Sequence, residues 1–236
     1  MSILGIVVAL ESEAGCLPWW RTSGGKDLGL PEGVRLKLSG IGADLAGSAA
    51  LAQVSDGVGA LLSLGTAAGL HPELAPGGVV LPQTILTCTG ATFTTDPDWR
   101  DRVQVRLQDQ MPVHPGPLIQ SPSVLTGPAD KSTLSRTSGA AAADMESAAV
   151  AAVAAEHHLP FLAIRVITDP VDAAVPVSAL AAVDQFGRVQ PWALIRSLAK
   201  HPQDILPLIR LGRHFQAAQS TLTAIARLVG PTFLAP

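Results

Sequence analysis

No tyrosine occurs in this chain of 236 residues, and aromatic residues make up only 4% of it. A core built without aromatics must be filled by aliphatic side chains, and Ala and Leu dominate here. Charge is also scarce. Only 15% of residues are Asp, Glu, Lys or Arg, against 47% hydrophobic, and the mean hydropathy is +0.34. That balance implies a large aliphatic core, with apolar surface left over for a partner subunit or a lipid-like ligand. The two cysteines, Cys16 and Cys88, lie far apart and form no CxxC pair. They exclude a disulfide framework, offer no zinc site and fit a reducing, cytoplasmic setting.

A basic excess is lacking too. The formal net charge is −3, so no global field attracts nucleic acid. The apolar start, Ile3 to Leu10, has no basic residue before it, and Glu11 and Glu13 follow at once. A signal peptide needs the opposite pattern. No charge-free run reaches the 18 or so apolar residues of a transmembrane helix.

The organisation is that of an α/β protein in one domain. Ile3–Leu10, Val34–Ser39, Gly59–Leu64, Gly77–Leu81, Gln83–Thr89, Pro117–Gln120 and Phe161–Ile167 read as strands, because they are short, apolar and often β-branched. Ala43–Gln53, Pro128–Arg136 and Asp144–His157 read as helices, and Asp96-Pro-Asp-Trp99 as a helix start. Pro191–Leu228 reads as two or more helices punctuated by Pro202 and Pro207. The alternation predicts three layers: a mixed, mostly parallel central sheet flanked by helices.

Ligands of such sheets sit outside the carboxyl ends of the strands. Four ends here carry chemistry: Glu11-Ser-Glu13, the apparent Gly-rich turn Gly65-Thr-Ala-Ala-Gly69, Asp144-Met-Glu146 and Thr168-Asp169-Pro170. Singly, each is ordinary, since strand-end acids are usually just solvated and paired glycines usually mark a tight turn.

Their order and wording resemble the nucleoside phosphorylase/nucleosidase superfamily, in particular methylthioadenosine/S-adenosylhomocysteine nucleosidases. The matching stretches are Gly5–Glu13, Ser39-Gly-Ile-Gly42, Leu64–Leu70 with Pro76–Val80, Ala143–Ala148 and Pro160–Asp169. The resemblance implies cleavage of a purine N-glycosidic bond through a cationic, oxocarbenium-like sugar. It implies that Asp169 protonates N7 of the base and accepts from the exocyclic amine, which suits a 6-aminopurine. Glu146 would hold the ribose hydroxyls, Glu13 would activate the attacking water, and Thr66 would lie near the nucleophile. Met145 would lie against the ribose. Asp144, Thr168 and Leu125 complete the expected substrate-binding set, Leu125 standing where the family has a base-stacking Phe. Arg165 is expected inside its strand as a structural partner of a nearby acid. No metal or cofactor is implied.

Two acids beside a dianionic phosphate would be repulsive, so water is favoured as nucleophile. Arg21 and Lys26 are the cations that could reverse this. The C-terminal stretch, Asp184–Pro191 and Pro202–Arg213, and also Asp96–Arg100 and Gly127–Lys131, resemble hopanoid-associated phosphorylases, linked to release of adenine from adenosylhopane. That subgroup implies a lipid-linked adenine nucleoside as substrate. Residues 191–228 carry Arg196, Lys200, Arg210, Arg213 and Arg227 against the single acid Asp204, interleaved with apolar residues. Such a segment either packs on the core with a solvated basic face or rests on anionic headgroups. A homodimer is expected from the family and the apolar composition. Glu13, Glu146 and Asp169 occurring together argue against a non-catalytic nucleoside-binding protein.

Overall fold

The computed structural model describes residues 2–20, 22–23, 26–27 and 29–236. Arg21 and the side chain of Lys26 lie outside the described residues. The strands are β1 (Leu4–Val8), β2 (Thr22–Ser23), β3 (Lys26–Asp27), β4 (Val34–Leu38), β5 (Ala60–Gly69), β6 (Val79–Val80), β7 (Thr84–Thr87), β8 (Thr92–Thr94), β9 (Val113–His114), β10 (Leu118–Gln120), β11 (Ala142–Asp144) and β12 (Phe161–Asp169). The helices are α1 (Glu11–Ala14), α2 (Ala43–Ser55), α3 (Pro97–Leu107), α4 (Pro128–Ser138), α5 (Ser147–Glu156), α6 (Val177–Leu180), α7 (Pro191–Lys200) and α8 (Ile205–Val229).

Ten of the strands form one mixed sheet, as expected, with β2 and β3 as a separate pair. β5 is its axis. One edge of β5 pairs along its length with β12, in parallel. The other edge is divided. β1 pairs in parallel over Ala60–Leu64, and β11 pairs antiparallel at Ala68 and Gly69. The stretch Gly65–Ala67 between them has no strand on that side, and the carboxyl ends of β1 and β11 both open onto it.

Side chains alternate across this sheet as the pleat demands. Leu62 and Leu64 of β5 join Leu162, Ile164 and Val166 of β12 in one core, closed by α3 and α8 through Trp99, Val103, Leu222 and Ile225. Leu61 and Ala67 join Ala163 and Ile167 in a second core on the opposite face, closed by α2 and α5. Those two helices touch through alanine: Ala46, Ala49 and Ala50 against Ala148, Ala151 and Ala154. Small side chains let the two helix backbones approach closely.

Three expectations need correction. Gly65–Gly69 is not a turn, because β5 continues through it, held by β12 on one side. Residues 142–144 form β11, so Asp144 ends a strand, and α5 begins only at Ser147, three residues later. Pro207 does not punctuate α8, because it sits in the first turn, where a missing N–H costs nothing. Pro202 does mark a break, a short 3₁₀ turn between α7 and α8. The C-terminal stretch divides. From Ala218 onward α8 is core, whereas α7 buries no residue.

Candidate active site

The eight residues singled out in the sequence, Glu13, Thr66, Leu125, Asp144, Met145, Glu146, Thr168 and Asp169, all line one cavity of about 280 Å³. It lies at the strand ends around Gly65–Ala67. Leu10 and Ile41 line it from the β1 and β4 side, and Leu211 and Phe215 reach it from α8.

Glu13 follows β1 on the single turn of α1, and only 3% of it is exposed. Its Oε1 accepts from the Thr66 N–H at 2.7 Å and from the Thr66 hydroxyl at 2.6 Å. Its Oε2 accepts from the Leu10 N–H at 3.1 Å. The carboxylate thus occupies the strandless edge of β5. A Cβ at Gly65 would stand 3.0 Å from both of its oxygens, so glycine is required there by close approach, not by turn geometry. Burial raises the pKa of Glu13, against the hydrogen bonds from Thr66 and the nearby Arg165 charge.

Glu146 stands at the N-cap of α5. It accepts from the Gly42 N–H at 2.8 Å and from the Met145 N–H at 3.1 Å. Gly42 has φ of +108°, a backbone state open to glycine, and this turns its N–H toward the carboxylate. Burial, then repulsion from Asp144, push the Glu146 pKa up to about 7.

Asp144 and Arg165 form a buried pair. Arg165 Nε and Nη2 both lie 2.8 Å from Asp144 Oδ2. The remaining guanidinium donors go to the Ser63 carbonyl, the Ser63 hydroxyl and the Ile164 carbonyl. Asp144 also takes the N–H and hydroxyl of Ser147. Arg165 is therefore structural, as expected. Asp144 lines the cavity, yet its acceptors are committed to protein donors.

Asp169 is reached differently. The β5–β12 register shifts between Ile167 and Asp169, and Thr168 and Asp169 both line the cavity. A bulge at a strand end re-aims side chains in this way. Asp169 is 7% exposed, and its Oδ2 pairs with Lys131 Nζ at 2.8 Å. Its Oδ1 is buried with no hydrogen-bond partner. Burial raises its pKa, opposed by Lys131. Lys131, with no exposed surface, was not singled out in the sequence as a site residue. A lysine on a polar helix gives no sign of burial, and only the contact with the Asp169 loop reveals it. Phe215 was also passed over, since a single aromatic on a helix reads as packing.

Four carboxylates thus surround the cavity, with two buried cations behind them. Among the described residues that line it, none is Arg, Lys or His. The arrangement can stabilise a cation at its centre and can exchange a proton at Asp169 or Glu13. A second group, His71, Glu73 and His114, brings ligand-type atoms within 4.8 Å of one another outside this cavity. The Gly116 N–H donates to His114 Nδ1 at 3.0 Å, so that nitrogen is already engaged by the backbone.

Residues 32–197, well over half of the chain, match the model of the phosphorylase superfamily, and the chain belongs to that superfamily. No curated protein matches it. Among solved structures it is similar to a 5′-methylthioadenosine/S-adenosylhomocysteine nucleosidase from Neisseria meningitidis in complex with methylthio-immucillin-A, with TM-score 0.71, 17% identity, and 97% and 98% of the two chains covered. It is also similar to futalosine hydrolase of Helicobacter pylori, with TM-score 0.68, 15% identity, and 96% and 97% covered. A Helicobacter pylori methylthioadenosine nucleosidase mutant with 5′-methylthioadenosine in the active site gives TM-score 0.66 at 17% identity, over 85% and 99%. At these identities the likeness is one of fold.

Proposed function

We propose that this protein is a nucleosidase that hydrolyses the N-glycosidic bond of a 5′-substituted adenosine and releases adenine. One observation carries the reading: Asp169, whose Oδ1 is buried without a hydrogen-bond partner, lines the same cavity as Glu13 and Glu146. As the C1′–N9 bond breaks, its electron pair goes to the purine. The protonated form of Asp169, favoured by burial, gives its proton to N7. Glu146 accepts from the ribose hydroxyls, and its charge offsets that of the cationic sugar. Water then attacks C1′, and its proton passes to Glu13, which burial has made a stronger base. Met145, Thr168 and Leu125 would pack around ribose and base, while Thr66 orients Glu13. The all-acidic charged lining favours water over phosphate, because a dianion there would meet only carboxylates.

The 5′ substituent is proposed to be a hopane, giving ribosylhopane. Support comes from the C-terminal resemblance and from a second cavity of about 710 Å³ that shares Asp169 and Leu211 with the first. Its lining includes Pro72, Leu74, Pro76, Val171 and Pro207, with Asp172, Arg210 and His214 as further polar members. Trp192, Ile195, Leu206 and Ile209 are exposed on α7 and early α8, together with Arg196, Lys200, Arg210 and Arg213. That is the composition of a segment resting at an anionic membrane face. No described helix is long and apolar enough to cross a membrane. The protein is further proposed to act in the cytoplasm as a homodimer, with the exposed Leu45 and Leu51 of α2 available for the interface.

The test is to incubate the protein with adenosine, methylthioadenosine and an adenosyl-lipid, with and without phosphate, and to identify both products. Adenine and a free sugar, formed fastest from the lipid, are expected. A phosphorylated sugar would make it a phosphorylase. Equal or faster turnover of methylthioadenosine would remove the hopane and leave the nucleosidase.

A further inference from the structure

Lys131 lies on α4, an otherwise polar surface helix, yet its side chain is wholly buried. Its three ammonium protons are all used: on Asp169 Oδ2 at 2.8 Å, on the Pro170 carbonyl at 2.7 Å and on the Ala173 carbonyl at 2.8 Å. Burying a lysine is costly unless its charge is paired and its donors are satisfied. Here both conditions are met, and all three partners belong to one segment, the end of β12 and the loop after it. The same segment is tied to the chain just before α4 by the Val175 N–H on the Thr126 carbonyl at 2.9 Å.

We propose that Lys131 is the positioning residue of the base-recognition carboxylate: it anchors Asp169 Oδ2 and the 170–173 loop, so that Oδ1 alone is left without a protein partner, and it sets the pH at which that carboxyl carries its proton. The inference rests on the nucleosidase reading for the word purine, but the anchoring stands on the contacts alone. A carboxylate with both oxygens free could turn about its χ2. Pinned at Oδ2 by a donor that is itself held by two carbonyls, it keeps one orientation. The ammonium also favours the ionised carboxylate, against the desolvation that favours the acid. Other charges face Asp169: His214 and Arg210 from α8, Asp172 from its own loop, and Glu13 and Glu146 across the cavity. Lys131 is the one among them in hydrogen-bond contact with it.

The experiment uses Lys131→Met, which removes charge and donors, and Lys131→Gln, which removes charge but keeps N–H groups for the loop carbonyls. Aspartate carboxyl carbons are followed by ¹³C NMR against pH, with the Asp169 signal assigned by its loss in Asp169→Asn. The midpoint of Asp169 should move to higher pH in both variants, and the basic limb of kcat/KM for adenine release should move with it. Turnover should fall about 10²-fold in Lys131→Met, as for a misplaced catalytic group, and less in Lys131→Gln. An unmoved midpoint, or a loss of rate with an unmoved limb, would overturn the proposal. Should neither variant fold, the ¹⁵N signal of the Lys131 ammonium decides. It should shift when Asp169 becomes Asn, and an unchanged signal would defeat the pairing. Absence of purine release by the wild-type chain would sink the nucleosidase reading, while the carboxyl titration would still judge Lys131.

Discussion

Two buried ion pairs flank the same cavity and differ in what they leave over. In the pair of Arg165 and Asp144, the guanidinium and the carboxylate are met by Ser63, Ile164 and Ser147 as well as by each other. In the pair of Lys131 and Asp169, the ammonium is saturated but the carboxylate keeps one bare oxygen. A closed network rigidifies a core, whereas an open one holds binding capacity in reserve, at a cost in desolvation that folding must carry elsewhere. The difference separates the two carboxylates: Asp144 holds the strand ends together, and Asp169, beside the cavity, keeps an acceptor that no protein group uses.

The sharpest way to break that comparison is Arg165→Met. It strands Asp144 and leaves Glu146 and Glu13 without the cation that lowers their pKa values. Removing one partner of a buried pair typically costs about 3–5 kcal/mol. Urea unfolding should show a loss of that order, and adding Asp144→Leu should restore much of it. A loss under about 1 kcal/mol would mean the pair is no more structural than a surface one. Asp169→Asn is the converse. The fold should survive, since Lys131 retains the amide oxygen and both loop carbonyls, while turnover should drop by about 10²-fold or more for want of the acid. Near wild-type adenine release with this variant would take Asp169 out of the mechanism.

Much of this was legible in residues alone, for a physical reason. Acids at strand ends, next to apolar runs that must be buried, have few places to go but the crevice above the sheet. Hence Glu13, Glu146 and Asp169 were identifiable, and the structure gathers them. Gly65–Gly69 was misread because glycine permits both a turn and a close approach, and composition cannot separate these. Here the approaching group is Glu13, which is remote in sequence. Asp144 was assigned to a helix because Asp-Met-Glu before an alanine run looks like a helix start, whereas three residues of strand are too few to show a period. Lys131 and Phe215 stayed hidden because their role depends on which loop or helix packs over them, a tertiary fact with no local trace.

Glu146 stands between the two pairs without a cation of its own, and so gives the most delicate test. Its pKa lies at about 7, raised chiefly by burial and then by Asp144 from an ordinary 4.5. The sign follows from proton counting. Between those values the folded chain keeps a proton on Glu146 that the unfolded chain has released, so stability falls as pH rises. The fall begins near 4.5 and levels off above about 7. The gap corresponds to roughly 2–3 kcal/mol of stability lost over that range. Glu146→Gln removes the titration. Its amide oxygen keeps one of the two N–H groups, from Gly42 or Met145, and the other loses its acceptor. The variant should therefore gain about 1 kcal/mol over wild type at pH 8, with no gain, or a small loss, at pH 4.5, while adenine release falls. Urea titrations of both proteins at the two pH values measure the difference directly. A variant that is destabilised equally at both would show that Glu146 is ionised and fully compensated throughout. In that case it would belong with the closed Asp144–Arg165 network, and the division between the two sides of the cavity would have to be redrawn.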